Sequence, residues 1–326
     1  MTDFQKPSTT IDEQLQILRD RGLIIEDEER ARRYLANISY FRLSAYARPF
    51  YRTADAEHVF RPRTSFDDFL GLYIFDRELR LLLMDALERI EVALRAQLTN
   101  TLADHYGPHG YLDPSLYDDR YDLSWITAKL NQATHARDAE PFLMHYREKY
   151  VKAPDEPPVW MAMEILTFRE VSVLFSKLRC SRDRQRIERH FGWKFPVLIS
   201  WFRSLSDLRN TCAHHGRVWN REFGSRPETP RKVTQPWPRV PASIHIPDTG
   251  QHTLRPQRRL FMMVVVVQAL MNVVAPGSSW AGRLVSLLNE HRHVPRWPMG
   301  FHEGWEEDPF WQSALKRAGY KDWGET

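Results

Sequence analysis

Residues 76–95 read DRELRLLLMDALERIEVALR, and this stretch decides the fold. Leu79, Leu82, Leu83, Ala86, Ile90 and Leu94 recur at helical spacing and form one apolar face. Asp76 with Arg80, Asp85 with Arg89 and Glu91 with Arg95 are acid-before-base pairs four residues apart, the order that suits a helix. Traced outward, the pattern opens at Ser65-Phe66-Asp67-Asp68 and persists to about Tyr106, before Gly107. A helix of that length implies an α-helical protein. The flanks agree. Thr10-Ile11-Asp12-Glu13 is a capping-box pattern for a first helix that Gly22 ends, and a second runs from Glu28 to Asn37. Ile38 to Tyr46 is short and aromatic. Further helices are predicted over 124–136, 139–150, 159–178, 183–191, 258–275 and near 280–292.

The 326 residues suffice for a buried core, and the chain reads as one domain over 1–326. A helical part covers 1–223. Residues 224–256 hold seven prolines and few periodic apolar residues, which predicts an irregular excursion. Residues 257–326 return as C-terminal helices, with Trp297, Trp305, Trp311 and Trp323 expected to cover the domain. The run Leu260 to Ala275 is interrupted by Gln268 and Asn272 and is short for a bilayer, so it reads as a buried core helix and no membrane partner is expected. A net charge of +4 and a pI near 9.0 permit an anionic partner without demanding one. Cys180 and Cys212 form no C-x-x-C pair, which fits a reducing cytoplasm and argues against zinc or a disulfide framework. No P-loop and no H-E-x-x-H pattern is present, so neither a cofactor nor a metal is expected.

The chemistry concentrates in Leu208-Arg209-Asn210-Thr211-Cys212-Ala213-His214-His215-Gly216-Arg217-Val218-Trp219-Asn220-Arg221. Histidine moves protons near neutral pH, and arginine neutralises charge on phosphate oxygens, a pairing able to handle a phosphodiester. On a helix from about Val197 through Arg221, Asn210, His214, Arg217 and Arg221 share one stripe with Arg203 above it. Trp201, Leu205, Leu208, Cys212 and Trp219 take the opposite, apolar stripe. Asn210 stands one turn from His214 and is positioned to orient its ring. Arg209 points roughly 140° away from His214 on an unbroken helix. Either the helix bends near Gly216, or two copies of the motif meet across a two-fold axis. The competing reading is a surface helix with a basic face and structural histidines.

At these residues the chain resembles the Abi-like abortive-infection proteins, the AbiD/AbiF group, within the HEPN superfamily of helical nucleases and nucleic-acid binders. Arg209, Asn210 and His214 match the superfamily signature, and the resemblance also rests on residues 38–46, 73–80, 88–95, 158–161 and 219–221. It implies an all-α HEPN-type helical bundle with the proline-rich excursion and a C-terminal helical extension. It further implies an antiphage or toxin-like endoribonuclease that needs no metal and acts as a homodimer with a composite site. RNA would attack its own phosphodiester through the 2′-OH. His214 would transfer the proton, Arg209 would stabilise the phosphorane and Asn210 would orient His214. Arg203, Arg217 and Arg221 would hold flanking phosphates, with His215 in reserve. Two other readings stand beside it: a non-catalytic RNA binder that holds a structured RNA, and an interaction component of a defence or toxin–antitoxin system. A regulatory RNA or an antitoxin is the further partner class.

Elsewhere, Arg179, Arg182, Arg184, Arg186, Arg189 and Lys194 form a basic cluster that reads first as a solvated helix face. Glu88 and Glu91 can approach the motif helix or pair with neighbouring arginines. Tyr40, Phe41 and Tyr46 read as core aromatics before base-stacking ones.

Overall fold

The computed structural model describes residues 7–52, 58–119, 121–150, 152, 154–233, 235–247 and 253–319. The chain is all-α, with thirteen α-helices among the described residues and one two-stranded sheet. It forms two compact units, Met1–Leu79 and Arg80–Thr326.

In the first unit, α1 (Ile11–Asp20) starts at the expected capping box, with the Thr10 hydroxyl accepting from Glu13 N–H and the Glu13 carboxylate accepting from Thr10 N–H. Gly22 follows it at φ +85°, a conformation that favours glycine. The helices α2 (Glu28–Ile38) and α3 (Tyr40–Ala47) are joined by Ser39, whose backbone lies at φ 69° and whose hydroxyl caps α3. Leu15, Leu18, Leu35, Leu43, Phe60 and Phe69 build this unit's core. The aromatic trio separates. Tyr46 is buried and donates to Asp76 at 2.6 Å, the Tyr40 hydroxyl accepts from Arg21, and Phe41 is 88 % exposed. Phe41 therefore departs from the expected core packing, because α3 turns that position outward.

The long pattern forms α4 (Phe66–Tyr106), a helix of 41 residues. Its apolar row is buried as the spacing predicts. Asp85 pairs with Arg89 at 3.2 Å and Glu91 pairs with Arg95. In the second unit follow α5 (Ser124–His135), α6 (Pro141–Lys149), α7 (Val159–Ile165), α8 (Phe168–Lys177), α9 (Ser181–Phe191) and α10 (Phe195–Ala213). The pattern read as one helix over 159–178 is two. Leu166 leaves the helix as α7's C-cap, and a capping box between Thr167 and Glu170 starts α8 afresh. At the end of α4, His105 and the Tyr106 hydroxyl clasp the buried Asp183 carboxylate of α9 at 2.6 and 2.7 Å. Burial and that hydrogen bond push the Tyr106 hydroxyl well above its ordinary range.

The described residues of the excursion are irregular, as its prolines dictate, apart from the short antiparallel pair β1 (Ile244–His245) and β2 (Thr253–Leu254). Trp237 anchors it by stacking on Trp201 and standing edge-on to Trp193. The helices α11 (Leu260–Val274), α12 (Trp280–Glu290) and α13 (Pro309–Arg317) close the unit. From Leu260 to Met271 every side chain of α11 is buried, and no described helix is long and apolar enough to cross a membrane. The Trp280 indole donates to the Leu82 carbonyl on α4 at 2.8 Å. Trp305 and Trp311 pack with Phe261 as expected for tail tryptophans, Trp297 is only half-buried, and Trp323 lies outside the described residues.

Candidate active site

Helix α10 packs against α8, α9 and α11, and burial of Trp201, Leu205, Leu208 and Cys212 holds its apolar stripe in the core. Pro196 sits in its first turn, where a missing N–H costs nothing. The helix ends at Ala213, eight residues before the expected Arg221. His214 is the C-cap, and His215 adopts φ 58°. The His215 N–H bonds the Cys212 carbonyl at 3.0 Å and the Gly216 N–H bonds the Thr211 carbonyl at 2.8 Å. These two bonds are a Schellman motif, which satisfies the last carbonyls and reverses the chain. Its left-handed position is usually glycine, so a histidine there disguised the stop. Gly216, the next residue, leaves little room for a side chain: an added Cβ would stand 3.1 Å from Thr211, which would have to give way by a few tenths of an ångström.

The left-handed backbone costs a β-carbon-bearing residue about 1 kcal/mol. His215→Gly is therefore expected to stabilise the protein by up to that amount, raising Tm by about 2 °C. A fall in Tm by thermal denaturation would show that the imidazole contributes more than its backbone costs.

Beyond Gly216 the chain folds back along α10. Val218 and Trp219 are buried, and the Trp219 indole donates to the Pro295 carbonyl at 3.0 Å. The Ser225 hydroxyl donates to the Asp207 carboxylate. The Ser200 hydroxyl donates to the Arg226 carbonyl at 3.2 Å and accepts from Glu228 N–H at 2.8 Å. The Trp201 indole reaches the Glu228 carbonyl at 2.8 Å. Between helix and returning loop lies an open cleft of about 1030 Å³. Arg203, Asp207, Asn210 and His214 line it from α10, and Arg221, Ser225, Arg226 and Glu228 line it from the loop.

The cleft thus gathers four of the seven sequence-predicted residues: Arg203, Asn210, His214 and Arg221. The helical stripe holds for the first three. Arg221 is not on it, because the helix has already ended, and it arrives instead on the folded-back loop. His215 and Arg217 do not line the cleft, so the stripe expected to carry Arg217 is not formed. No described residue makes a hydrogen bond or ion pair with the His214 ring. The bond joining it to Asn210 is backbone, from the His214 N–H to the Asn210 carbonyl at 3.0 Å. The Asn210 side-chain oxygen instead accepts from Arg209 at 3.2 Å.

Arg209 does not line the cleft either. Its Nε lies 3.5 Å from the Glu91 carboxylate on α4, which also pairs with Arg95. Glu91 therefore does both things expected of it, while Glu88 stays exposed. Asp207 and Arg226 were missed in the sequence. Asp207 was legible, being one turn from both Arg203 and Thr211 on the same helical face. Arg226 was not, since only the loop's return delivers it. The α9 basic cluster is largely consumed in local pairs: Arg179 with Asp119, Arg186 with Asp104 and Lys194 with Glu188. Arg184 lies 4.7 Å over the Phe195 ring. Among the described residues, no group of three or more His, Cys, Asp or Glu side chains could hold a metal ion.

A family model described as Abi-like protein matches residues 33–220, more than half of the chain and all of the motif up to Asn220. No curated protein and no solved structure matches.

Proposed function

The chain belongs to the Abi-like protein family, and from that membership we propose that it is an abortive-infection endoribonuclease of HEPN type. The observation that carries this reading is the cleft, where His214 stands with Asn210 and Arg221 at one end and Arg203 and Arg226 at the other. Three guanidiniums and an imidazole against Asp207 and Glu228 favour a polyanion, and Asp207 is already engaged by Arg169 at 3.1 Å and by Ser225. In the reaction an RNA 2′-oxygen attacks the adjacent phosphorus as its proton leaves. The P–O5′ bond then breaks, and the departing 5′-oxygen takes up a proton. His214 serves one of these transfers. The products are a 2′,3′-cyclic phosphate and a 5′-hydroxyl, with no water consumed. DNA has no 2′-oxygen and survives. Arg221 and Arg203 position flanking phosphates without reading sequence. Arg209 completes the site from a second copy of the chain, which stabilises the crowded phosphorane.

The purified protein is expected to cleave cellular RNA in EDTA and to leave cyclic-phosphate ends detectable by mass spectrometry. Cleavage that stops on adding EDTA and returns with a divalent ion would overturn the metal-free chemistry. One observation favours a second reading. Arg209 is held by Glu91 outside the cleft, so a single chain presents a cationic groove without the signature arginine. A non-catalytic RNA binder would bind RNA and leave it intact, with a steep salt dependence.

A further inference from the structure

The cleft is not uniformly basic along its length. At the C-terminal end of α10 stand His214, Asn210 and Arg221, whose guanidinium lies beside Gly216. Toward the N-terminal end stand Arg203, Ser200 and Arg226, the last tied to Ser200 through its carbonyl. At 1.5 Å per residue, Arg203 and His214 are about 16 Å apart along the helix. Between them, one turn from Arg203 and about two turns from His214, lies Asp207, whose side chain is 32 % exposed. A single strand laid along this groove meets cations toward both ends, with Glu228 of the loop beside Ser200, and the Asp207 carboxylate between them. With its charge largely met by Arg169, Asp207 offers acceptor oxygens there and no cation for a phosphate, so a base edge carrying N–H groups fits best.

Asp207 is also held in place. One oxygen accepts from Arg169 at 3.1 Å, from α8, and the other accepts from the Ser225 hydroxyl, on the loop. Two anchors from different elements fix the plane of the carboxylate. An ionised carboxylate has about four lone-pair directions, so one on each oxygen is left for a ligand. Two parallel acceptors match two adjacent donors. Guanine alone among the RNA bases offers that pair, N1–H beside N2–H, on its Watson–Crick edge. Adenine and cytosine place an acceptor next to their amino group, and uracil flanks its single N–H with two carbonyls.

We propose that Asp207 is a specificity-determining residue that reads a guanine in single-stranded RNA, between phosphates held by Arg203 and Arg226 on one side and by Arg221 on the other. This rests on the reading of the cleft as an RNA site and adds the base it prefers.

The test is binding, by fluorescence anisotropy, of nine-nucleotide uridine oligomers with one central G, A, C or U. All sugars are 2′-O-methylated, so no cleavage intervenes. The wild type is expected to bind the guanine oligomer about tenfold or more tightly than the others. Asp207→Asn presents one acceptor and one donor, a pair that adenine and cytosine match equally, so it should lose the guanine preference. Ser225→Ala removes one anchor but keeps the carboxylate, and should keep guanine in first place. Should Asp207→Asn fail to fold, Asp207→Glu is expected to retain guanine over adenine with a smaller margin. Equal binding of all four oligomers by the wild type would overturn the inference and leave the RNA reading standing. So would a guanine preference that survives in Asp207→Asn or is lost in Asp207→Glu. Failure of the wild type to bind any oligomer, together with intact cellular RNA, would overturn the RNA reading itself.

Discussion

His214→Ala is expected to lose RNA cleavage by a factor of about 10²–10⁴ while leaving the fold and RNA affinity nearly unchanged. The size is that of general acid–base catalysis by one positioned group. The fold should tolerate the change because His214 is exposed and is the C-cap of α10, and its only described bond is through its backbone N–H, which alanine keeps. Affinity should hold because Arg203, Arg221 and Arg226 supply the charge. Arg209→Ala should fall comparably in rate if the arginine meets the reacting phosphate. Within one chain it lies outside the cleft, so mixing the two inactive variants is the sharper measurement. A heterodimer carries one intact site, built from the His214 of one chain and the Arg209 of the other. Recovered cleavage in the mixture is the expected result. A mixture as inactive as its components would sink the shared site, and His214→Ala cleaving at the wild-type rate would sink the catalytic assignment.

The helical fold was legible because its signals are local and repeated. The row from Leu79 to Leu94, the box at Thr10 and the glycines after α1 and α4 each announce themselves within one or two turns. The errors fell where a local rule was satisfied by an unusual residue. Thr167 and Glu170 restart a helix inside an apolar run that has no proline or glycine to mark the break. His215 occupies the left-handed turn in place of glycine, so the periodic reading ran on through Arg221. That single residue separates Arg203, Asn210 and His214, whose shared face was right, from Arg217, which does not line the cleft. The cleft's second wall could not be read at all. Arg221 and Arg226 reach α10 because buried Trp219 and the Ser200 and Ser225 hydrogen bonds fold the loop back, and no periodicity encodes a return.

Glu91→Ala is expected to be the most destabilising single change around the motif, by about 3–5 kcal/mol, with Tm falling by roughly 10 °C. The Glu91 side chain is 10 % exposed and that of Arg95 is 12 % exposed, so water screens neither. Arg95 also donates to the Met163 carbonyl on α7, which leaves its guanidinium no freedom to swing out to solvent. Deleting the carboxylate strands that charge in the interior, and the cost is the desolvation of an unpaired ion, not the modest worth of the pair itself. Two further variants separate these terms. Glu91→Met with Arg95→Met removes both charges and should recover most of the loss. Glu91→Ala in an Arg209→Ala background should differ little from Glu91→Ala alone, because Arg209 is a third exposed and can rehydrate. A loss below about 1 kcal/mol by urea denaturation would mean that Arg95 finds water after all. With the fold held by Arg95 and Glu91, the Arg209 contact is the weak arm of the three.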